Sequence, residues 1–278
     1  MKILFVICIA FISLNAQALR IEADILTQQL SKYTILDTRE VKEYKKGHIK
    51  GALNLPILLT YDNQIQNGKI ATPQKIEKLL RELGLDINTA IVVYDDGIFF
   101  DAARAFWTLE VYGFKNIKVL NAGFKEWKEK NYPISDITPK VKKSNYITTI
   151  NSDRLATKFT TQIASVSPTE TIIDARAVPS YNGKISTAKR FGHIPNAKNI
   201  PATHNINNAK LQPISKLKEI YKDVNKNKKI ILYCAIGRIS ATNYFALREL
   251  GYDVANYDAS WKEWGNDYSL PVINLSKR

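Results

Sequence analysis

A chain of 278 residues, 45% hydrophobic and 24% charged, has the make-up of folded globular protein and room for two domains of ordinary size, which excludes bulk disorder. Its formal net charge of +14 comes from scattered lysines, among them Lys42, Lys45 and Lys46, and Lys226, Lys228 and Lys229. No basic helix interleaved with aromatics occurs, so nucleic acid is not an expected partner; a positive field of this kind instead concentrates a small anionic substrate.

The chain opens with Met1-Lys2, a nearly unbroken apolar run from Ile3 to Leu14, and the small residues of Ala16-Gln17-Ala18. That pattern predicts a signal peptide over residues 1–18 with a cut after Ala18. The apolar run is shorter than the ~20 residues a spanning helix needs, and no later segment is apolar enough to span. The mature protein is therefore expected to be exported, periplasmic or secreted, with no membrane attachment after cleavage. Cys8 falls inside the signal, which leaves Cys234 as the one cysteine of the mature chain. A single thiol in an oxidising compartment points to reactivity or to a bond with another chain.

After the signal, short β-branched runs alternate with helical patterns. Thr34–Leu36 reads as a buried strand. Thr72-Pro73 gives a cap and first-turn proline for a helix that ends at Gly84. Ile91–Tyr94 is a second strand, Asp101–Tyr112 a helix stopped by a glycine, and Ile117–Leu120 a third strand. Ser135 to Thr149 carries Pro139 and a lysine cluster without periodicity, and reads as a linker. The pattern then begins again with strands at Thr171–Ile173, Ile230–Tyr233 and Val254–Tyr257, and a helix over Ser240–Leu250.

The second half repeats the first block by block. Ile35 to Arg39 answers Ile172 to Arg176, and Gly47-His48-Ile49 answers Gly192-His193-Ile194. Ile91 to Asp95 answers Ile230 to Cys234; Tyr112-Gly113-Phe114 answers Leu250-Gly251-Tyr252; Ala122 to Trp127 answers Ala259 to Trp264. The offset stays at about 138 residues throughout, the mark of a tandem duplication. Strands alternating with helices make each unit α/β, a mostly parallel sheet flanked by helices on both faces. The expected organisation is a first domain over 19–136, a linker over 137–150 and a second domain over 151–278.

Cys234 follows directly on the strand Ile230–Tyr233. Ala235-Ile236-Gly237-Arg238-Ile239 then lead into a helix near Ser240. A strand, a tight loop and a helix N-terminus put the thiol at the carboxyl edge of the sheet, where open α/β folds bind ligands. Loop amides and the helix dipole favour an anion there, and the anionic thiolate is the nucleophilic form. Gly237 suits a loop that curls with positive φ. The twin position holds Asp95, which cannot carry sulfur. Asp37 with Arg39 and Asp174 with Arg176 read as structural ion pairs, and Trp261 and Trp264 as core.

These features together resemble the tandem rhodanese-type sulfurtransferases, thiosulfate and mercaptopyruvate sulfurtransferases among them. The resemblance rests on Asp174-Ala175-Arg176, Gly192-His193-Ile194-Pro195, the loop from Cys234 to Gly237, and Tyr257-Asp258-Ala259-Ser260-Trp261. It implies an inactive first domain and a persulfide on Cys234, formed from thiosulfate or a similar small anionic sulfur donor and passed to a thiol or cyanide, with no cofactor and no metal. The donor would be held by the loop residues Ala235, Ile236, Gly237, Arg238 and Ile239. Arg190 and Lys189 would serve as further cations, and His48 would reach across the cleft, as the mercaptopyruvate branch suggests.

Three positions depart from the family pattern. The mercaptopyruvate branch typically has Gly-Ser-Gly after the cysteine, and Ala235-Ile236-Gly237 offers no hydroxyl two residues on. The thiosulfate branch often has a basic residue where Ala235 stands, and many bacterial members have Arg or Thr where Ile239 stands. Thiosulfate is the first choice by elimination, with 3-mercaptopyruvate as the alternative. A non-catalytic persulfide carrier serving a partner protein is the other reading. A Cys-x5-Arg phosphatase does not fit, because Ser240 occupies the arginine position.

Overall fold

The computed structural model describes residues 18–63 and 67–277. The expected signal peptide, apart from Ala18, lies outside the described residues. Two five-stranded sheets form the frame. The first is built from β1 (Arg20–Ile21), β2 (Thr34–Asp37), β3 (Leu53–Asn54), β4 (Ile91–Tyr94) and β5 (Ile117–Leu120), in the spatial order β1-β5-β4-β2-β3. The second is built from β6 (Leu155–Ala156), β7 (Thr171–Asp174), β8 (Ala197–Asn199), β9 (Ile230–Tyr233) and β10 (Val254–Tyr257), in the order β6-β10-β9-β7-β8. Every pairing is parallel, and the two orders match strand for strand.

The central strands β4 and β9 are buried at every residue. A parallel strand covered on both faces has to be apolar throughout, which is why Ile91–Tyr94 and Ile230–Tyr233 stand out in the sequence. The edge strands β1, β3, β6 and β8 span only two or three residues. Runs that short carry no readable alternation, and the sequence does not announce them.

Helix α1 (Pro73–Glu82) starts where the cap signal puts it, with Thr72 Oγ1 accepting from the Lys75 N–H at 3.4 Å. Helices α2 (Phe100–Val111) and α3 (Ser240–Glu249) each follow the loop at the carboxyl end of a central strand. They pack against each other, so positions related by the duplication meet. Phe106 lies 6.5 Å from Tyr244 and 4.9 Å from Phe245 between ring centroids, and Phe99 lies 5.3 Å from Phe245. Glu110 of α2 accepts from Arg248 Nη2 at 2.8 Å and from the Tyr244 hydroxyl at 2.5 Å. Residues of both halves thus belong to one buried apolar cluster. An apolar contact of this kind holds two domains as one body, where a small polar contact would leave them free to move.

The linker has almost no regular structure over 138–150, yet it is anchored. Tyr146 is buried, lies 5.2 Å from the Phe114 ring and donates its hydroxyl to Tyr112 O at 2.6 Å. Among the described residues no helix is long and apolar enough to cross a membrane.

Candidate active site

Beneath the Cys234 loop lies a rigid polar floor. Arg176 donates from Nε and Nη2 to the Asp174 carboxylate, at 3.0 and 2.6 Å, and Nη2 also reaches Gly192 O. The Tyr233 hydroxyl donates to Asp174 Oδ2 at 2.7 Å and accepts from the Ile194 N–H. Asp37, Arg39 and Tyr94 repeat the arrangement in the first half. Burial and the neighbouring carboxylate push the Tyr94 and Tyr233 hydroxyls well above the usual phenol range, so both remain donors at physiological pH.

The loop is gripped from two sides. On its own side, the Cys234 N–H donates to Ser260 Oγ at 3.1 Å, and Cys234 O and Ala235 O accept from the Trp261 and Lys262 amides at the start of α4 (Ser260–Trp264). Gly237 sits at φ 69°, and a Cβ there would lie 2.4 Å from Asp258 O. Only glycine fits that close approach. Gly237 O accepts from Asn256 Nδ2 at 3.0 Å.

From the first half comes a second grip, carried by α2. Arg104, fully buried between the Tyr61 and Trp107 rings at 4.4 and 4.3 Å, donates from Nη1 to Gly237 O at 2.9 Å. Asp101 takes Arg238 in a two-pronged pair, Nε to Oδ1 at 2.5 Å and Nη2 to Oδ2 at 2.7 Å. This pairing raises the guanidinium's affinity for its proton. The segment ahead of α1 closes over the same loop. Ile70 N–H donates to Asp258 Oδ2 at 2.7 Å, and Gly68 packs so tightly on Ile236 that a Cβ would lie 3.1 Å from its Cα. Burial pushes the Asp258 carboxyl upward against these bonds.

Cys234 itself is 1% exposed, in a small apolar cluster with Ala175 and Ala202, edged by Phe100 and Ile239. Among the described residues the one hydrogen-bonding side chain against its sulfur is Ser240, whose Oγ lies 3.4 Å from Sγ. Tyr61 belongs to the same neighbourhood. Its hydroxyl is buried without a partner among the described residues, and burial pushes it above the ordinary phenol value. A buried hydroxyl left unpaired costs about 1–3 kcal/mol, so it is a donor in want of an acceptor.

The twin loop of the first half is already filled. The Asp95 carboxylate accepts from four backbone amides: Gly97 at 2.8 Å and Phe99 at 3.2 Å on Oδ1, Asp101 at 3.2 Å and Ala102 at 3.3 Å on Oδ2. Burial outweighs these bonds and pushes its carboxyl up from the ordinary value.

The structure places three of the expected substrate-binding residues away from the Cys234 loop. His48 does not reach the cleft. It is fully buried, stacked 3.8 Å from the Tyr44 ring, with Nδ1 at 3.0 Å from Tyr44 O and Nε2 at 3.3 Å from Ile137 O. His193 repeats this on Tyr181, so both histidines tie a loop to their own domain. Arg190 directs Nη1 to Leu270 O and Nη2 to Trp264 O, each at 2.6 Å, with Nε on Gly265 O and a further bond to Asp267 O. All three guanidinium nitrogens serve the end of α4 and the chain that follows it. Lys189 is exposed and fixes Asn266 through its backbone N–H. Among the described residues no bond links Lys189 or Arg190 to the Cys234 loop. Of the loop residues Ala235, Ile236, Gly237, Arg238 and Ile239, Ile239 packs against the Cys234 cluster, while Gly237 and Arg238 are held by Arg104 and Asp101.

Sequence reasoning missed Asp101, Arg104, Tyr61 and Asn256. Each lies far from Cys234 along the chain, and nothing in a single sequence links them to it. Ser240 was readable as the first residue of the helix after the loop.

A model of the rhodanese-like domain matches the chain twice, over residues 22–130 and 156–267. The chain is 29% identical over 248 residues to a putative thiosulfate sulfurtransferase of Haloferax volcanii, covering 84% of this chain and 85% of that protein. It is 28% identical over 259 residues to the sulfur carrier protein TtuD of Thermus thermophilus, covering 87% and 90%. Its fold superimposes on the crystal structure of SseA from Escherichia coli, a 3-mercaptopyruvate sulfotransferase, with a TM-score of 0.79 and 26% identity over 88% of this chain and 99% of that one.

Proposed function

Since the chain belongs to the rhodanese-like domain family, with both halves matched, we propose that it is a sulfurtransferase working through a persulfide on Cys234, with thiosulfate as donor. The Cys234 thiolate attacks the outer sulfur of the donor. A Sγ–S bond forms, the donor's S–S bond breaks, and its electron pair leaves with sulfite. Cyanide or a thiolate then attacks the outer sulfur, and the electron pair of the Sγ–S bond returns to Sγ.

The observation that carries this reading is the environment of Sγ. It lies at the end of a buried parallel strand, inside a loop clamped by both domains, with a hydroxyl beside it and no base within hydrogen-bonding reach among the described residues. Such a site suits a reaction that moves sulfur and asks no protein base for a proton transfer. Arg238 and the unpartnered Tyr61 hydroxyl support an anionic donor. Asp101 already offsets the charge of Arg238, which suits a donor of modest charge as well as thiosulfate and keeps 3-mercaptopyruvate as the alternative.

The second reading is a carrier that hands its persulfide to a partner protein, favoured by the relative named as a sulfur carrier. We place the protein outside the cytoplasm on the strength of the signal pattern alone; a mature N-terminus at Leu19 in the exported protein would support this.

The test is incubation with thiosulfate and with 3-mercaptopyruvate in parallel. Cys234 is expected to gain one sulfur atom by mass spectrometry, Cys234→Ser to gain none, and cyanide to discharge the sulfur catalytically. A Cys234 mass unchanged by both donors would refute sulfur transfer. Loading without turnover would favour the carrier.

A further inference from the structure

Ser240 and Asn256 form a buried chain that ends on the reacting sulfur. Ser240 Oγ lies 3.4 Å from Cys234 Sγ and 2.7 Å from Asn256 Oδ1, and Asn256 Nδ2 donates to Gly237 O at 3.0 Å. Ser240 and Asn256 are both fully buried. The amide's orientation is therefore fixed: turned over, it would set its oxygen against the Gly237 carbonyl. Asn256 Oδ1 faces Ser240 and can only accept.

A serine hydroxyl has one proton, and here two acceptors compete for it. With Cys234 as a thiol, the proton lies on the short bond to Asn256, and Sγ–H can donate to Ser240 Oγ. When charge resides on Sγ, the hydroxyl can turn and donate to the sulfur, leaving Asn256 Oδ1 unpaired. The bond to the ion is the stronger one, because a hydrogen bond to a charged group is worth roughly twice a neutral one. In a persulfide the charge sits on the outer sulfur, the inner Sγ is neutral, and the proton belongs to Asn256 again.

We infer that Ser240 is a catalytic residue, a hydroxyl rotor that donates to Cys234 Sγ as the electron pair returns to that sulfur, with Asn256 as the competing acceptor that withdraws the proton in the persulfide state. The residue two past the cysteine is Ile236, which has no hydroxyl; this one arrives from the first turn of α3. The assignment rests on sulfur transfer at Cys234 for its place in the cycle. Its physical content is wider: Ser240 assists any reaction in which Cys234 leaves as a thiolate.

That generality separates the test from the proposed activity. Cys234 of the full chain is capped as its methyl disulfide with methyl methanethiosulfonate, and release by dithiothreitol at fixed pH is followed on the Cys234 peptide, which keeps Cys8 out of the signal. The reductant attacks the outer sulfur, the S–S bond breaks, and Cys234 leaves with the electron pair. A less stabilised leaving thiolate departs more slowly. Ser240→Ala is expected to slow release about fivefold, and Ser240→Thr to restore most of it. Asn256→Ala is expected to speed release, because the hydroxyl loses its other acceptor; Gly237 O keeps its bond from Arg104 in that variant.

Opposite effects of the two alanine variants are what a competition for one proton produces and what loosened packing does not. Equal release rates in wild type and Ser240→Ala, or slowing by both variants, would overturn the inference. Neither result depends on thiosulfate or mercaptopyruvate being used, so a failure of the proposed function would leave this outcome readable.

Discussion

The two loops at the ends of β4 and β9 descend from one sequence and have divided the labour. In the first half, a carboxylate at the loop's centre takes four backbone amides. In the second, a thiol stands at that place with one hydroxyl beside it. Asp95 supplies its loop with an internal acceptor, and the four amides that would face a ligand are already taken. The self-filled loop is instead a fixed surface. It pins the start of α2, and α2 presents Asp101 to Arg238 and Arg104 to Gly237 O. The half that has no nucleophile shapes the loop that does. The two loops differ most at one position, the strand end, where Asp95 stands in one half and Cys234 in the other.

That contrast can be broken most severely at Asp95 itself. Asp95→Ala leaves four buried amides without their acceptor and is expected to lower stability by about 3 kcal/mol, read by urea unfolding, while Cys234 still takes up one sulfur atom. Lost loading in a folded variant would show that the first loop does more than support. Arg104→Met keeps most of the side-chain volume and removes the bond to Gly237 O, which still has Asn256. About 2 kcal/mol of stability is expected to go, with slower sulfur loading in a stopped assay; unchanged loading would take Arg104 out of the catalytic loop's support.

Asp101→Asn addresses the charge. It relieves Arg238 of a competing carboxylate, and the KM for thiosulfate is expected to fall about threefold, whereas Arg238→Ala is expected to raise it. Movement of both in the same direction would make the pair a clamp with no part in donor binding. The smallest effect concerns His193. Burial lowers its pKa from the ordinary value, so the folded protein binds that proton less readily than the unfolded chain. Stability from this group is full above the unfolded value near 6.5 and declines as pH falls through it. His193→Gln is expected to flatten the loss of stability between about pH 7 and pH 5; an unchanged slope would assign that loss to other groups.

Much of this was legible in order. The buried strands β2, β4, β5, β7, β9 and β10 announce themselves as short, mostly apolar and β-branched runs, the pattern of parallel strands covered on both faces. Cys234 was legible because the repeat aligned it with Asp95 and put both at strand ends. His48 and His193 were legible as a matched pair, and matching was the better guide: a residue that recurs in a half without a nucleophile is serving the fold. Arg190 misled because a cation near a motif looks like a ligand for an anion. Only the bonds to Leu270, Trp264 and Gly265 show that carbonyls already occupy it. Ser240 was visible as a helix start, but its distance from Sγ follows from the loop's curl at Gly237, which sequence position does not measure.

By itself the sequence determined the duplication, the α/β architecture of each half, the place of Cys234 at a strand end, and the replacement of its twin by an aspartate. Hydrophobic period, turn residues and order along the chain are local quantities, and a linear text records them. The tertiary structure decided which groups face the sulfur. Asp101 and Arg238, Arg104 and Gly237, Ser240 and Asn256 are brought together by the packing of α2 on α3 and by the register of parallel strands. Those contacts depend on distances between segments far apart in the chain, and no local pattern encodes them.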